Sequence, residues 1–117
     1  MKRILYVEDD EDTAEAVKTI LEVAGFAVTI APTGSDGIRE TKGGEFDIIL
    51  LDIMLPDMSG WDLYRKMKGI NAKFAFLSAL PISQERLEQL RSEGLCDYIT
   101  KPFTKKDLTE RVKKMAA

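Results

Sequence analysis

Ile48-Ile49-Leu50-Leu51-Asp52 is the stretch that decides the fold, because four apolar residues in a row end at an acid. An apolar run of strand length indicates a strand that is buried on both faces, as in a parallel sheet. Such a strand needs helices to cover both of its faces. The stretch therefore predicts an α/β protein with Asp52 at the carboxyl end of an inner strand.

Strand-like and helix-like segments alternate along the rest of the chain. Short apolar runs predict strands at residues 4–7, 27–30, 46–51, 74–77 and 98–99. Apolar residues at helical spacing predict a helix after each strand. Right-handed crossovers would then give a parallel sheet with helices on both faces. A chain of 117 residues fits one domain, which we place at residues 1–117.

Capping residues mark where the predicted helices begin, and glycines mark where several of them end. Serine, threonine and aspartate side chains accept hydrogen bonds from the free N–H groups of a first helical turn. The predicted starts, in chain order, are Asp12, Ser59, Ser83 and Thr104, and a weaker helix is predicted around Ser35 to Lys42. The predicted stops are Gly25, the pair Gly43-Gly44, and Gly94.

The composition describes a globular protein without a large excess of either charge. Apolar residues make up 44% of the chain and charged residues 32%, and 17 basic against 20 acidic side chains leave a net charge of -3. A dedicated nucleic-acid binder usually carries a basic excess. We therefore expect no direct binding to nucleic acid.

The single cysteine and the lack of histidine exclude several kinds of site. Cys96 has no partner for an internal disulfide, which favours a reducing compartment. Zinc sites of the Cys₂His₂ type and Ser/His or Cys/His catalysis both require histidine. The apolar run after the basic start Met1–Arg3 is too short for a secretory signal or a membrane span. We expect a cytoplasmic protein that does not enter membranes.

Polar residues suited to phosphoryl chemistry follow every predicted strand except the second. Glu8 and Asp9 come after the first strand, Asp52 after the third, Ser78 after the fourth and Lys101 after the fifth. The carboxyl ends of parallel strands share one edge of the sheet, where ligands bind in open α/β folds. These side chains are therefore expected to meet.

Carboxylates that meet at one edge repel one another, by roughly 4 kcal/mol for two charges about 4 Å apart at an effective dielectric near 20. A proton or a cation must relieve this repulsion, and Mg²⁺ is the natural cation because it prefers oxygen ligands and shares them with phosphate. A carboxylate such as Asp52 can then accept a phosphoryl group, with Lys101 and Ser78 contacting its oxygens. A dinucleotide or P-loop site is disfavoured because the turn after the first strand lacks glycine.

Four motifs together resemble the receiver domains of response regulators in two-component signalling. Ile4–Asp10 is similar to their acidic first-strand motif, and Leu50–Gly60 to their phosphorylation-site motif. Phe76–Ala79 resembles their hydroxyl-plus-small-residue motif, and Asp97–Phe103 their Lys-Pro-Phe signature. The resemblance covers nearly the whole chain. It implies a flavodoxin-like (βα)₅ three-layer sandwich, like that of the chemotaxis regulator, with a parallel five-stranded sheet in the order 2-1-3-4-5.

The resemblance also implies a Mg²⁺ site and a phosphoacceptor. Asp52 would be the residue that is phosphorylated and also a metal ligand. Asp9 would bind Mg²⁺ directly and Glu8 through water, while Met54 would contribute its backbone carbonyl. The neighbouring acids Asp10 to Asp12 are interpreted as solvated, with Asp12 as the helix cap.

Three further residues receive roles from the resemblance. Ser78 and Lys101 would bind the phosphoryl group, and the Lys101-Pro102 bond would be cis, as in the family. Tyr98 would be an aromatic switch that turns inward as Ser78 moves toward the phosphoryl group. A plain core role for Tyr98 is an equally good interpretation.

The resemblance implies partners as well. A histidine kinase or a histidine phosphotransfer protein would donate the phosphoryl group, and a downstream effector would contact the face made by the fourth helix, the fifth strand and the fifth helix. A homodimer through that face is possible, since Asp97, Asp107 and Arg111 resemble part of the charged dimer face of winged-helix regulators. Cys96 and Leu87 depart from that pattern.

Met54 and Leu80 occupy the two positions that tune hydrolysis of the phosphoryl group in this family. Both are apolar and cannot orient a water molecule, so we expect a long-lived phosphoryl state. The chain is interpreted as a switch that only phosphorylates and slowly dephosphorylates itself. The alternatives are a Mg²⁺-dependent phosphatase with an Asp nucleophile, which would carry a second acid where Met54 stands, and an interaction module that is not phosphorylated.

Overall fold

The computed structural model describes residues 1–117, in which five strands alternate with five helices. The strands are β1 (Arg3–Val7), β2 (Ala27–Ala31), β3 (Ile48–Leu51), β4 (Lys73–Ser78) and β5 (Asp97–Thr100). The helices are α1 (Glu11–Val23), α2 (Gly34–Gly43), α3 (Gly60–Met67), α4 (Gln84–Ser92) and α5 (Lys105–Ala116). Each predicted strand and helix is present.

The five strands form one parallel sheet in the order β2-β1-β3-β4-β5, which confirms the predicted order. From β1 the chain first moves outward to β2 and then returns to the other side of β1 to form β3. The strand order therefore reverses between β1 and β3. In open α/β sheets the crevice beyond this reversal is where ligands bind.

The sheet is covered on both faces, so each inner strand contributes to two cores. Alternate residues of β1 and β3, including Ile4, Leu50 and Ile48, pack with α1 and α5. The residues between them, including Leu5 and Leu51, pack with α3 and α4 on the opposite face. All four residues of β3 have no exposed surface, as the unbroken apolar run predicts.

Three predicted helix starts are confirmed. Ser59, Ser83 and Thr104 are N-caps, and each side-chain oxygen accepts a hydrogen bond from the N–H group three residues later. The glycine stops after the first and fourth helices are confirmed too. Gly25 and Gly94 have φ angles of 101° and 111°, in the left-handed region that glycine adopts without strain.

The predicted start of the first helix is wrong. Helix α1 is capped by Asp10 rather than Asp12, because the Asp10 carboxylate accepts a hydrogen bond from the Thr13 N–H group at 3.0 Å. Asp12 lies in the first turn, where its charge favours the helix N-terminus without capping it. Helix α2 spans Gly34–Gly43 and is capped by Thr33, so the helix predicted around Ser35 to Lys42 is confirmed within one residue at each end.

None of these helices combines the length and the apolar character that a membrane span needs. The longest of them, α1, has 13 residues and an acidic first turn.

Candidate functional site

Backbone hydrogen bonds carry the sheet one residue past its strands and so place the candidate site residues on one edge. The Asp52 N–H group donates to the carbonyl of Val7 at 3.0 Å, and the Lys101 N–H group donates to the carbonyl of Ser78 at 2.8 Å. Glu8 continues β1 in the same way, with its N–H group 3.0 Å from the carbonyl of Ala31. The backbones of these residues are therefore as fixed as the sheet itself.

Three carboxylates meet at this edge. One oxygen each from Glu8, Asp9 and Asp52 lies within 4.8 Å of the others. Glu8 and Asp52 are buried, with 2% and 8% of their surface exposed, whereas Asp9 is open to solvent. The cluster is therefore buried on the side of Glu8 and Asp52 and open to solvent on the side of Asp9.

The Lys101 side chain reaches into this cluster from β5. Its Nζ donates to Oε1 of Glu8 in a close ion pair and lies 3.8 Å from Oδ2 of Asp52. The Lys101-Pro102 peptide bond is cis, as predicted. One amine thus serves two carboxylates and holds the shorter contact with Glu8.

The two buried carboxylates respond differently to the shared amine. Burial acts to raise the pKa of Glu8, but hydrogen bonds from Lys101 and Tyr6 lower it below its usual value. Burial raises the pKa of Asp52, and the charge of Glu8 adds to this, although Lys101 opposes it. Asp52 is therefore the carboxylate whose charge the protein leaves less well compensated.

The donor set at this edge fits a hard divalent cation. Carboxylate oxygens are the ligands that Mg²⁺ prefers, and the open side at Asp9 leaves room for the water molecules that Mg²⁺ keeps. Lys101 alone does not balance three carboxylates. The residues present are thus suited to the cation expected from the sequence.

The segment after Asp52 is held close to the site by Gly60. The Gly60 N–H group donates to the carbonyl of Ile53, and a Cβ atom at position 60 would overlap the backbone oxygen of Asp52. Met54 follows on the outside, with 67% of its surface exposed and its backbone paired in a β-bridge with Ser59. The part of its carbonyl in metal binding stays a prediction.

Ser78 and Tyr98 are connected through the backbone of Leu80. The Oγ of Ser78 accepts a hydrogen bond from the Leu80 N–H group at 3.2 Å, and the Tyr98 hydroxyl donates to the Leu80 carbonyl. Tyr98 is buried, with its ring 6.0 Å from that of Phe76 and 6.4 Å from that of Trp61. Tyr98 is thus a core residue tied to the loop after Ser78, and its part as a switch stays a prediction.

Two residues near the site were not expected from the sequence. Tyr6 is fully buried in β1, and its hydroxyl donates to Oε1 of Glu8 at 2.9 Å. The available signal was its position two residues before Glu8, on the same face of the strand. Asp57 accepts hydrogen bonds from the N–H groups of Gly34 at 2.8 Å and Ser35 at 2.9 Å. No local sequence pattern predicts this contact between Asp57 and the start of α2.

Comparisons with known proteins identify the family of the chain. The chain matches the family described as the response regulator receiver domain over residues 4–113. The transcriptional regulatory protein CusR of Escherichia coli K12 is 38% identical over 113 residues, which cover 95% of this chain and 49% of CusR.

Solved structures resemble the chain over nearly its full length. A CheY-like receiver domain from Methanospirillum hungatei is 34% identical with a TM-score of 0.83, over 99% of this chain and 94% of that one. The receiver domain of DrrB in its BeF₃-activated form is 31% identical with a TM-score of 0.84, over 99% and 97% of the two chains.

The chain belongs to the response regulator receiver domain family. It is a signalling domain of two-component systems with the flavodoxin-like fold, as the sequence motifs indicated. It spans about half the length of the curated relatives that it matches, among them CusR and the cell cycle regulator CtrA of Caulobacter vibrioides.

Proposed function

We propose that the chain is a phosphorylation-activated switch that accepts a phosphoryl group on Asp52 from a histidine kinase or a histidine phosphotransfer protein, with Mg²⁺ as cofactor. The observation that carries the proposal is the meeting of Glu8, Asp9 and Asp52 within 4.8 Å, with Lys101 paired to the cluster. A phosphoryl group needs both a carboxylate to accept it and positive charge to balance its oxygens.

The transfer uses Asp52 as nucleophile. A carboxylate oxygen of Asp52 forms a bond to phosphorus while the bond from phosphorus to the donor histidine nitrogen breaks, and the electron pair leaves with that nitrogen. When bound, Mg²⁺ would supply positive charge that offsets the charge of the carboxylates and of the phosphoryl group. Asp9 and Asp52 would hold the cation directly and Glu8 through water, with the Met54 carbonyl as a further ligand.

In the proposed switch, Lys101 and Ser78 change their contacts when Asp52 carries a phosphoryl group. Lys101 transfers its main contact from Glu8 to a phosphoryl oxygen, and Ser78 gives up its bond with Leu80 to donate to another. The Tyr98 hydroxyl is bonded to the same segment, so its position follows that of Leu80. The modification shifts a pre-existing equilibrium by stabilising one arrangement of these groups.

The output face is made by α4, β5 and α5, where a downstream effector docks and where two copies can pair. Arg111 bonds to Asp97 and to Asp107 within the chain, each at 3.1 Å, so these charges are already ordered on this face. Nucleic acid and membrane are not proposed as direct partners of residues 1–117, and the cytoplasm is the proposed location.

The only hydrolysis proposed for the chain is the slow loss of its own phosphoryl group. Met54 and Leu80 are both partly exposed, at 67% and 37%, and neither side chain hydrogen-bonds a water molecule that could attack the acyl phosphate. A long-lived phosphoryl state is expected. Sustained release of phosphate from a phosphomonoester, without labelled protein, would favour the phosphatase alternative.

Incubation with labelled acetyl phosphate tests the proposal. We expect the wild type to retain label with Mg²⁺ and to lose this ability with a chelator, and Asp52→Asn to remain unlabelled. Asp62→Asn is the matched control, because Asp62 is an exposed acid on α3 that is bonded to Arg65 and should be labelled like the wild type. Label in Asp52→Asn, or none in the wild type, would overturn the proposal.

A further inference from the structure

Tyr6 is a polar residue in an otherwise apolar buried stretch of β1. Its ring has no exposed surface and packs among the residues that face α1 and α5. Its hydroxyl donates to Oε1 of Glu8 at 2.9 Å. A buried hydroxyl needs a partner, yet phenylalanine would fill the same space without this need. The hydrogen bond to the Glu8 carboxylate is therefore what distinguishes tyrosine from phenylalanine at this position.

Oε1 of Glu8 accepts hydrogen bonds from two donors of different mobility. Tyr6 is fixed in the core, whereas the Lys101 side chain is 19% exposed and lies next to Asp52. The other Glu8 oxygen accepts a bond from the Asp10 N–H group at 3.3 Å. Only the bond from Lys101 can be given up without moving the backbone or the core.

We propose that Tyr6 is a positioning residue, which keeps Oε1 of Glu8 bonded and oriented toward the cation when Lys101 leaves it for a phosphoryl group. This inference rests on the proposed function, in which Lys101 makes that transfer. A buried carboxylate oxygen left without any donor is strongly destabilised. With Tyr6 in place, Glu8 retains one donor throughout the cycle, and Lys101 is free to move.

The test is Tyr6→Phe, with Tyr64→Phe as the matched control. Tyr64 is also buried, but its ring packs against Phe74 on the opposite side of the sheet, away from the core that contains Tyr6. Loss of a group that orients a metal ligand typically weakens metal binding 10- to 100-fold. We expect Mg²⁺, titrated by calorimetry, to bind Tyr6→Phe about tenfold more weakly than the wild type and Tyr64→Phe equally well.

A second background separates positioning from general support of the core. In Glu8→Gln the carboxylate is gone, so adding Tyr6→Phe should cause no further loss of Mg²⁺ affinity. An equal loss in both backgrounds, or wild-type affinity in Tyr6→Phe, would overturn the inference. Urea unfolding with a chelator present checks that each variant is folded.

Labelling by acetyl phosphate distinguishes failure of this inference from failure of the proposed function. Tyr6→Phe should need about tenfold more Mg²⁺ for half-maximal labelling, and reach the wild-type level when Mg²⁺ saturates. An unlabelled wild type would refute the proposed function. A labelled wild type with the same Mg²⁺ requirement as Tyr6→Phe would refute the role of Tyr6 alone.

Discussion

Glu8 and Asp52 are the two buried acids of the chain, and one amine is shared between them. Because Lys101 pairs closely with Glu8, the pKa of Glu8 is lowered, whereas burial and the nearby charge of Glu8 raise the pKa of Asp52. A cation that binds at this edge of the sheet would therefore stabilise the charged form of Asp52. The arrangement thus favours Asp52 as the site where a cation and a phosphoryl group act.

Lys101→Met tests whether the amine stabilises the fold through Glu8. Glu8 is 2% exposed, so removing its cation leaves a buried charge, and we expect a loss of about 3 kcal/mol in the free energy of unfolding without Mg²⁺. Urea unfolding measures this loss. Combining Lys101→Met with Glu8→Gln should recover most of it, because neither charge then remains buried. Strictly additive losses would contradict the pairing.

At this scale the sequence predicted the acids, the serine and the lysine from their places after strands, but not Tyr6. A tyrosine in an apolar strand has the same pattern as any core aromatic. Its role depends on where the hydroxyl points, which is set by the packing of the ring against α1 and α5. The partition of Lys101 between Glu8 and Asp52 likewise depends on distances that no spacing encodes.

Helix α3 begins directly against the backbone of the phosphoacceptor candidate. The Gly60 N–H group bonds to the carbonyl of Ile53, and only a hydrogen atom fits between Gly60 and the Asp52 carbonyl. The segment from Asp52 to Gly60 is therefore a tight loop whose two ends touch. Its geometry is set by the start of a helix rather than by the strand alone.

Gly60→Ala should disturb this loop strongly. A Cβ atom would meet immovable backbone, so we expect a loss of about 3 kcal/mol in the free energy of unfolding, together with reduced labelling of Asp52. Gly43→Ala is the control, because a Cβ at Gly43 meets open space and should change stability by less than about 1 kcal/mol. Equal effects of the two changes would count against the close approach.

Asp57 fastens the same loop to the start of α2. It accepts bonds from the N–H groups of Gly34 and Ser35, and although burial acts to raise the pKa of Asp57, these bonds lower it below its usual value of 3.8. Asp57→Asn should be less stable at neutral pH, because the neutral amide keeps an acceptor oxygen but loses the charge that strengthens both bonds. Urea unfolding of both proteins measures the difference.

The pH dependence of this difference has a definite sign. A carboxylate whose folded pKa is lowered contributes its stability above the unfolded pKa and loses it as the pH falls through the folded value. The advantage of wild type over Asp57→Asn should therefore be complete above 3.8 and shrink below it. Asp36→Asn is the control, because Asp36 lies in the first turn of α2 and bonds only exposed Arg39 with its side chain, so its loss should change stability less than Asp57→Asn does. A gap that widened in acid would refute the contact.

Helix starts show what local patterns can resolve. Ser59, Ser83 and Thr104 were identified because each is a single good cap before an apolar helical pattern. Several acids in succession precede the first helix. Which of Asp10 and Asp12 caps it depends on how soon after the end of β1 the helix begins, and local patterns do not show this.

The whole molecule follows from alternation and handedness. Strand-like runs separated by helical patterns dictate a parallel sheet, and the buried β3 dictates cover on both faces. The order of the strands came from the resemblance rather than from periodicity, since short apolar runs do not encode their neighbours. The contact of Asp57 with α2 joins residues 22 and 23 positions apart in the chain, so local sequence patterns do not predict it either.

Mg²⁺ should stabilise the entire domain, because a ligand that binds only the folded state stabilises it by mass action. At 100 times its dissociation constant the gain is about 2.7 kcal/mol. The gain should be largely lost in Asp9→Asn and retained in Asp12→Asn, which removes a nearby exposed acid outside the cluster. Thermal unfolding with and without Mg²⁺ measures it. Equal stabilisation of the two variants would place the ion elsewhere.

In the proposed switch, Asp52 itself becomes the acyl phosphate. Borohydride reduces an aspartyl phosphate to homoserine, and mass spectrometry of peptides then locates the reduced residue. After treatment with acetyl phosphate and Mg²⁺, we expect reduction at position 52 and at no other aspartate, and none when Mg²⁺ is chelated. Reduction at another acid, or no reduction in a protein shown to bind Mg²⁺, would show that Asp52 is not the phosphoacceptor.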